Sequence, residues 1–497
     1  MTTVSIDIIK NNSQFEEINT YEIYGKSKHP LQFKAFHTIL GLCVFFSLIT
    51  IPTECQIINI LNLEISAQFL WWPIICFLLA IIERTYGFEY LRQSVYLIIL
   101  FRSIYILFLK IAILIPSSSF WKLQDAYSNV LGRDFNYIIN SSITIWVCFL
   151  VIPRIKLFFM SSKKTDGKYI YLFFAFSLAL YCCVFTQKYS LNTEVYKNNL
   201  IFSFLFFIFL YFIYCFFSKT ISSIENINPL QKNTNLFKFK TSIQNDQDKI
   251  IFKYHHILFC ISIVFFIASK TMASKFISIG FFTINVGGLV FSLAYLTADI
   301  MTDAYGIERT KQMIYFVLLI NLIFVFNIWV TKFLSLDQNS DYCHILNNQF
   351  RLFFASAPSY FLGMTLNSSV ISILKNKQRR KGISLKKEFL TTVWIRIATS
   401  SAFGIFFDVS LFSFSAFYDV VPNDKLMSII FFEDIYKISY EIILAPISVL
   451  LIYLIKTKEK IDIYDNFSNL NPFKLNTNYK FDANKFHDNF TDAEGKK

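Results

Sequence analysis

Two aspartates four residues apart, Asp299 and Asp303, close a long apolar run within the stretch Thr297-Ala-Asp-Ile-Met-Thr-Asp-Ala-Tyr-Gly306. On a helix that spacing sets both carboxylates on one face. Ionisable groups beside an apolar run are costly and usually have a reason; here they suit a gate or a lock at a helix end. The first half of the chain carries a faded copy, Pro73 to Gly87, ending Glu83-Arg84-Thr85-Tyr86-Gly87. Aligned on Tyr-Gly, Asp299 becomes Ala80 and Asp303 becomes Arg84, so one copy has kept its acids and the other has not.

Two further runs hold polar residues at helical spacing. Ser356, Tyr360, Gly363 and Asn367 fall on one face of the first, which opens with Arg351. Ser400, Gly404 and Asp408 fall on one face of the second, which carries Arg396. Small residues let helices approach, and polar atoms on the same stripe can bond across the gap or line a cavity. At about 1.5 Å per residue, Asn367 and Arg396 are expected at one depth. Arg351 and Asp408 are expected at another, near Lys437 and Glu441. Two such layers with apolar packing between them fit a solute path gated at both ends. A structural reading stands beside this one: Asp299, Asp303, Arg351 and Lys437 lie near the ends of apolar runs, where charges are ordinary, and Gly363 and Gly404 suit packing.

These residues must be held by membrane helices. The chain is 54% hydrophobic and 16% charged, with mean hydropathy +0.46. Runs of about 20 apolar residues recur near 36–53, 68–82, 93–115, 136–153, 169–186, 199–217, 255–270, 279–298, 313–331, 352–374, 389–412 and 438–455. The expected fold is an all-α membrane protein with about twelve transmembrane helices in two parallel six-helix repeats. The organisation read from the chain is a cytoplasmic segment 1–35, a degenerate repeat 36–217, a cytoplasmic linker 218–254, a second repeat 255–456 and a polar cytoplasmic tail 457–497. That tail is expected to be flexible and to say little about function. Of the 47 Lys and Arg, 34 fall in segments that a cytoplasmic N-terminus places inside, so both termini are expected in the cytoplasm. The +13 charge is then a topology pattern with attraction to anionic lipid, and requires no nucleic acid. No metal pattern, nucleophile motif or Walker A sequence is present, which argues against an enzyme or an ATP-driven pump.

In combination, these motifs resemble the queuosine precursor transporters, six-span bacterial inner-membrane proteins also called the vitamin-uptake-like transporter family. The family's acid, Tyr-Gly and basic residues are answered by Asp299, Asp303, Tyr305-Gly306, Arg309 and Lys311. Its two later Arg-Ser-acid motifs are answered by Arg351, Ser356 and Asn367, and by Arg396, Ser400-Ser401 and Asp408. Lys437 and Pro446 follow in the last span. The resemblance covers about 270–456, and in the first half is clear only around 73–87. Departures are Asp303 for the usual Glu, Met364 and Ile405 for two Gln, and Asn367 for an Asp.

The resemblance implies uptake of a 7-deazaguanine, such as 7-cyano-7-deazaguanine, for queuosine synthesis in tRNA. The expected locale is the bacterial inner membrane, with no cofactor and no metal. A carboxylate can accept both hydrogens of a guanine-like N1–H/2-amino edge, and Arg can donate to a carbonyl or stack on the base. Substrate contacts are therefore assigned to Asp408, Arg396, Asn367, Ser400 and Ser356. Gate or structural roles go to Asp299, Asp303, Arg351, Lys437 and Glu441. A six-span family working as an oligomer makes this chain a fused pseudo-dimer, or a homo-oligomer of such chains. The departures keep two alternatives open: a transporter of a different small polar solute, and a non-transporting regulatory membrane protein.

Overall fold

The computed structural model describes residues 21–23, 35–118, 121–151, 193–225, 252–279, 282–346, 349–379, 386–418, 423–465, 470–475 and 482–486. Among them, seven helices are long and apolar enough to cross a membrane, and the β structure is confined to short strands. The protein is an all-α membrane protein.

After strand β1 (Tyr21–Ile23), helix α1 (Phe36–Thr53) leads into an antiparallel hairpin of β2 (Ile57–Ile60) and β3 (Leu63–Ser66). A single 3-10 turn and α2 (Trp72–Tyr86) follow, then α3 (Phe88–Leu114). Helices α4 (Gln124–Leu131), α5 (Phe135–Trp146) and α6 (Thr193–Glu225) complete the described first half. The same order then returns: α7 (His255–Met272), the hairpin β4 (Phe276–Ile279) and β5 (Phe282–Asn285), α8 (Val286–Tyr305) and α9 (Ile307–Phe333). The offset is a constant 219 residues (255 against 36, 276 against 57, 282 against 63, 307 against 88). From residue 36 to residue 114 the repeat has no gap.

The Tyr-Gly pairs explain one part of this match. Gly87 has φ 91 and ψ 175, and Gly306 has φ 87 and ψ 165. Only glycine adopts that region without strain. Each reverses the chain directly from one helix into a 27-residue partner. Just past each turn sits an acid–base pair three residues apart, Glu89 with Arg92 and Glu308 with Lys311. The first half has lost Asp299 and Asp303 but kept the turn and this pair.

The two copies pack reciprocally. Helix α1 lies against α7, α3 against α7, and α9 against α1. The Asn59 N–H donates to Leu334 O at 2.9 Å, and the Ser118 N–H donates to Phe276 O at 2.9 Å. Each hairpin thus bonds to the segment that follows the long helix of the other copy.

The second half ends in α10 (Asp341–Ile345), α11 (Gln349–Arg379), α12 (Lys386–Phe417) and α13 (Asn423–Glu459). Helices α11 and α12 cross closely because two glycines face each other. A Cβ on Gly363 would meet Gly404 O at 2.9 Å, and one on Gly404 would meet Gly363 O at 2.8 Å. Beyond α13, β6 (Ile461–Tyr464) pairs with β7 (Asp482–Phe486), whose other edge takes β1.

Three expectations change against this structure. The apolar run at 279–298 is not one span, because its start belongs to the hairpin and helix α8 begins at Val286. Asp299 and Asp303 therefore sit within a helix rather than after its end. The start of the 457–497 tail is not free chain: Ile463 and Asp465 are buried, and Asp465 accepts from the Ile307 N–H at 3.0 Å and the Ser372 hydroxyl at 3.0 Å. Finally, the described part of the 136–153 run is not one regular α-helix, because α5 is continued by a π-helical turn over Val147–Val151. The run at 169–186 and most of the linker 218–254 lie outside the described residues.

Candidate functional site

A buried polar seam runs along α8 where it meets α11, α12 and α13. Its first cluster surrounds Asp303. That carboxylate is fully buried and takes ion pairs from Arg396 of α12 and Lys456 of α13. Lys456 also reaches Asp462 at 2.8 Å, and Lys375 of α11 reaches Asp462 at 2.7 Å and the Asp303 carbonyl at 2.6 Å. Arg396 is further held by Gln378 at 2.6 Å. Three acids (Asp303, Asp462, Asp465) and three bases (Lys375, Arg396, Lys456) thus knit α8, α11, α12, α13 and β6 together. Buried charges persist only when paired in this way. Asp462 lies beyond the last helix; burial pushes its carboxyl up, but the two lysines outweigh burial and hold it below the usual carboxylate range.

One helical turn away, Asp299 makes no ion pair among the described residues. Asn367 Nδ2 donates to its Oδ1 at 2.6 Å, and the Ser401 hydroxyl donates to Oδ2 at 3.1 Å. Glu441 of α13 is buried and lies within electrostatic reach of this carboxylate. Next along α8, the Tyr295 hydroxyl donates to Gly404 O at 3.3 Å at the α11–α12 crossing.

The other end of the seam centres on Asp408, buried on α12 beside Ser359, with Lys437 and Lys270 as its nearby cations. Lys437 pairs with Glu433 at 2.8 Å, and Lys270 of α7 donates to the Ser356 hydroxyl. A carboxylate flanked by two ammonium groups and hydroxyls can bind a planar solute carrying both donors and acceptors.

The structure gathers most of the residues singled out by sequence. Asp299, Asp303, Asn367, Arg396, Ser356, Asp408, Lys437 and Glu441 all face this seam. Two do not enter it as expected. Arg351 is exposed and donates to the Tyr418 carbonyl at 2.9 Å, tying the start of α11 to the end of α12. Ser400 is buried, but its hydroxyl donates to Ile397 O at 2.9 Å on its own helix; Ser401 makes the cross-helix bond.

Lys270, Lys375, Lys456 and Asp462 were not legible as site residues. Lys270 closes an apolar run, and the other three read as topology charges or tail. The first half has a buried cluster of its own, built from different residues. Arg133 pairs with Glu54 at 3.2 Å, the Tyr137 hydroxyl donates to Glu54 at 2.9 Å, and Arg102 donates to that tyrosine at 3.0 Å.

A family model described as "Putative vitamin uptake transporter" matches residues 66–187 and 285–451, more than half of the chain. The two segments start 219 residues apart, the offset of the structural repeat. The match in the first half extends well beyond 73–87. No curated protein and no solved structure matches the chain.

Proposed function

The chain belongs to the vitamin uptake transporter family, and we propose that it takes up a queuosine precursor, a 7-deazaguanine such as 7-cyano-7-deazaguanine, through the seam of its second repeat. A transporter of this family moves a small molecule across a bilayer. The observation that carries the finer reading is the buried Asp408 carboxylate, set beside Ser359 with Lys437 and Lys270 near. A guanine-like edge presents two adjacent N–H donors and a carbonyl acceptor, which a carboxylate with a neighbouring ammonium group can answer together. Asn367, Arg396 and Ser356 support it from the rest of the seam, and Ser400 backs the helix that presents Asp408. Asp299, Asp303, Lys437 and Glu441 hold or gate the helices, with Arg351 at the rim. The locale we assign is a bacterial inner membrane with both termini cytoplasmic, the fused repeats acting as a pseudo-dimer.

The departures at Met364 and Ile405 favour one second reading. Both positions are apolar and fully packed, so they offer no amide to a base, which suits a different small polar solute. Rescue decides between the two. The chain is expressed in a queuosine-auxotrophic, transporter-deficient cell at low external precursor, and queuosine is assayed in tRNA. Restored queuosine supports the deazaguanine reading; none, with membrane insertion confirmed, overturns it in favour of the other solute.

A further inference from the structure

Asp299 of α8 and Glu441 of α13 lie within electrostatic reach of each other in the seam, and among the described residues neither makes an ion pair. Both are buried, at 0% and 2% exposure. Among the described residues the positive charges nearby are engaged elsewhere: Arg396 and Lys456 on Asp303, Lys437 on Glu433, and Lys270 on Ser356. Asp299 is held by two neutral donors, Asn367 Nδ2 and the Ser401 hydroxyl. Glu441 Oε1 and Asn367 Oδ1 are buried acceptors with no hydrogen-bond partner. The group is thus rich in acceptors and short of donors. Two ionised carboxylates in such a place repel each other with little solvent to screen them. One added proton removes the repulsion and supplies a donor.

We propose that Asp299 and Glu441 form a proton-binding pair that couples solute movement to a proton gradient. A proton from the outer aqueous phase forms an O–H bond on one carboxylate. That bond breaks when the proton leaves to the cytoplasm, and the solute itself is unchanged. The pair lies between Asp408 and the Asp303 cluster, which gives it a means of coupling. Tyr295 feels Asp299, Glu441 and Asp408 together, and its hydroxyl bonds to the α11–α12 crossing. Protonating the pair weakens the hold of Asp299 on Asn367 and Ser401, which come from those same two helices. The other ionisable groups around it are Tyr295 and Asp303 on α8, Tyr360 on α11, Asp408 on α12 and Tyr440 on α13. Lys270 of α7 acts on Asp408, and Lys311 of α9 pairs with Glu308 and donates to the 471 and 474 carbonyls. A sodium ion would need several further oxygen ligands to replace its water, whereas a proton needs one.

This inference rests on the chain being a transporter, and its test has a readout independent of the solute. Infrared difference spectra of the full-length protein in detergent should show the carbonyl stretch of a protonated buried carboxylic acid near neutral pH. That band should disappear in Glu441→Gln or Asp299→Asn. A spectrum that neither substitution alters overturns the pair. In proteoliposomes, a one-unit inward pH gradient should raise accumulation of labelled 7-cyano-7-deazaguanine by about tenfold at one proton per solute, and Glu441→Gln should lower the ratio of gradient-driven to exchange flux. Uptake that follows a sodium gradient, or no gradient, overturns the coupling. Absence of both uptake and exchange counts against the deazaguanine reading instead, and the infrared result still decides the proton.

Discussion

Replacing Asp303 with asparagine tests whether the charge network, rather than apolar packing, holds the end of the seam. The substitution keeps the shape and removes one negative charge opposite Arg396 and Lys456, all three buried. Lys456 keeps Asp462 at 2.8 Å, so the burden falls on Arg396, left with the neutral amide of Gln378 at 2.6 Å. Breaking one side of a buried pair costs about 3–5 kcal/mol, which is two to three and a half powers of ten in an equilibrium constant at ~1.4 kcal/mol per tenfold. Set against a total stability of roughly 5–15 kcal/mol, the loss should be plain in detergent as a large fall in melting temperature, read by tryptophan fluorescence. Arg396→Met in the same background removes the stranded cation and should recover part of the loss, with a coupling of about 0.5–3 kcal/mol. Simple addition of the two single losses would refute the network argument. So would an Asp303→Asn protein as stable as the parent.

Four further outcomes are expected. Asp408→Asn should abolish deazaguanine uptake while membrane insertion, judged by surface-labelled yield, stays normal. Gly404→Ala would bring a methyl to 2.8 Å from Asn367 Cβ and Gly363 O, separating α11 from α12 at a cost of about 1–3 kcal/mol, measurable by melting. Gly306→Ala should be worse than Gly87→Ala: both meet the same backbone strain of about 1–3 kcal/mol, but a Cβ at 306 also meets Asp465 Oδ1 at 2.7 Å, whereas nothing lies within 4 Å at 87. Because Asp462 is held below its unfolded value, its contribution is complete above about pH 4 and fades as pH falls through the folded value. Asp462→Asn should therefore flatten the acid side of the stability–pH curve, and an unchanged curve would remove Asp462 from the network.

Much of the helical frame was legible because apolar runs of bilayer length have few other uses. The four-residue spacing of Asp299 and Asp303 also correctly placed them on one buried face. What spacing could not show is that one turn separates a fully paired acid from one held by neutral donors. That difference depends on Lys456 and Arg396 arriving from other helices. Lysines at span ends are expected from topology alone, so Lys375 and Lys456 carried no visible sign of turning inward. Asp462 was hidden for a related reason: a polar residue after the last span reads as solvated tail until a strand is seen folding back over the helix ends. Ser400 and Ser401 show the limit at its finest. Adjacent hydroxyls differ by about 100° around a helix, and which one reaches Asp299 is set by how α12 is rotated against α8.

The gapless repeat has a consequence for how the two copies could diverge. Separate subunits meet only by mass action, and each must keep an interface strong enough to find its partner at cellular concentration. Once joined in one chain, the copies meet at an effective concentration set by the linker, independent of expression level. The reciprocal packing of α1, α3, α7 and α9 then persists even when one copy no longer carries a working site. One copy is then free to lose chemistry while it stays bound to geometry. The chain fits that expectation in one place: Ala80 and Arg84 stand where the second copy has two acids, beside a Tyr-Gly turn that both copies keep.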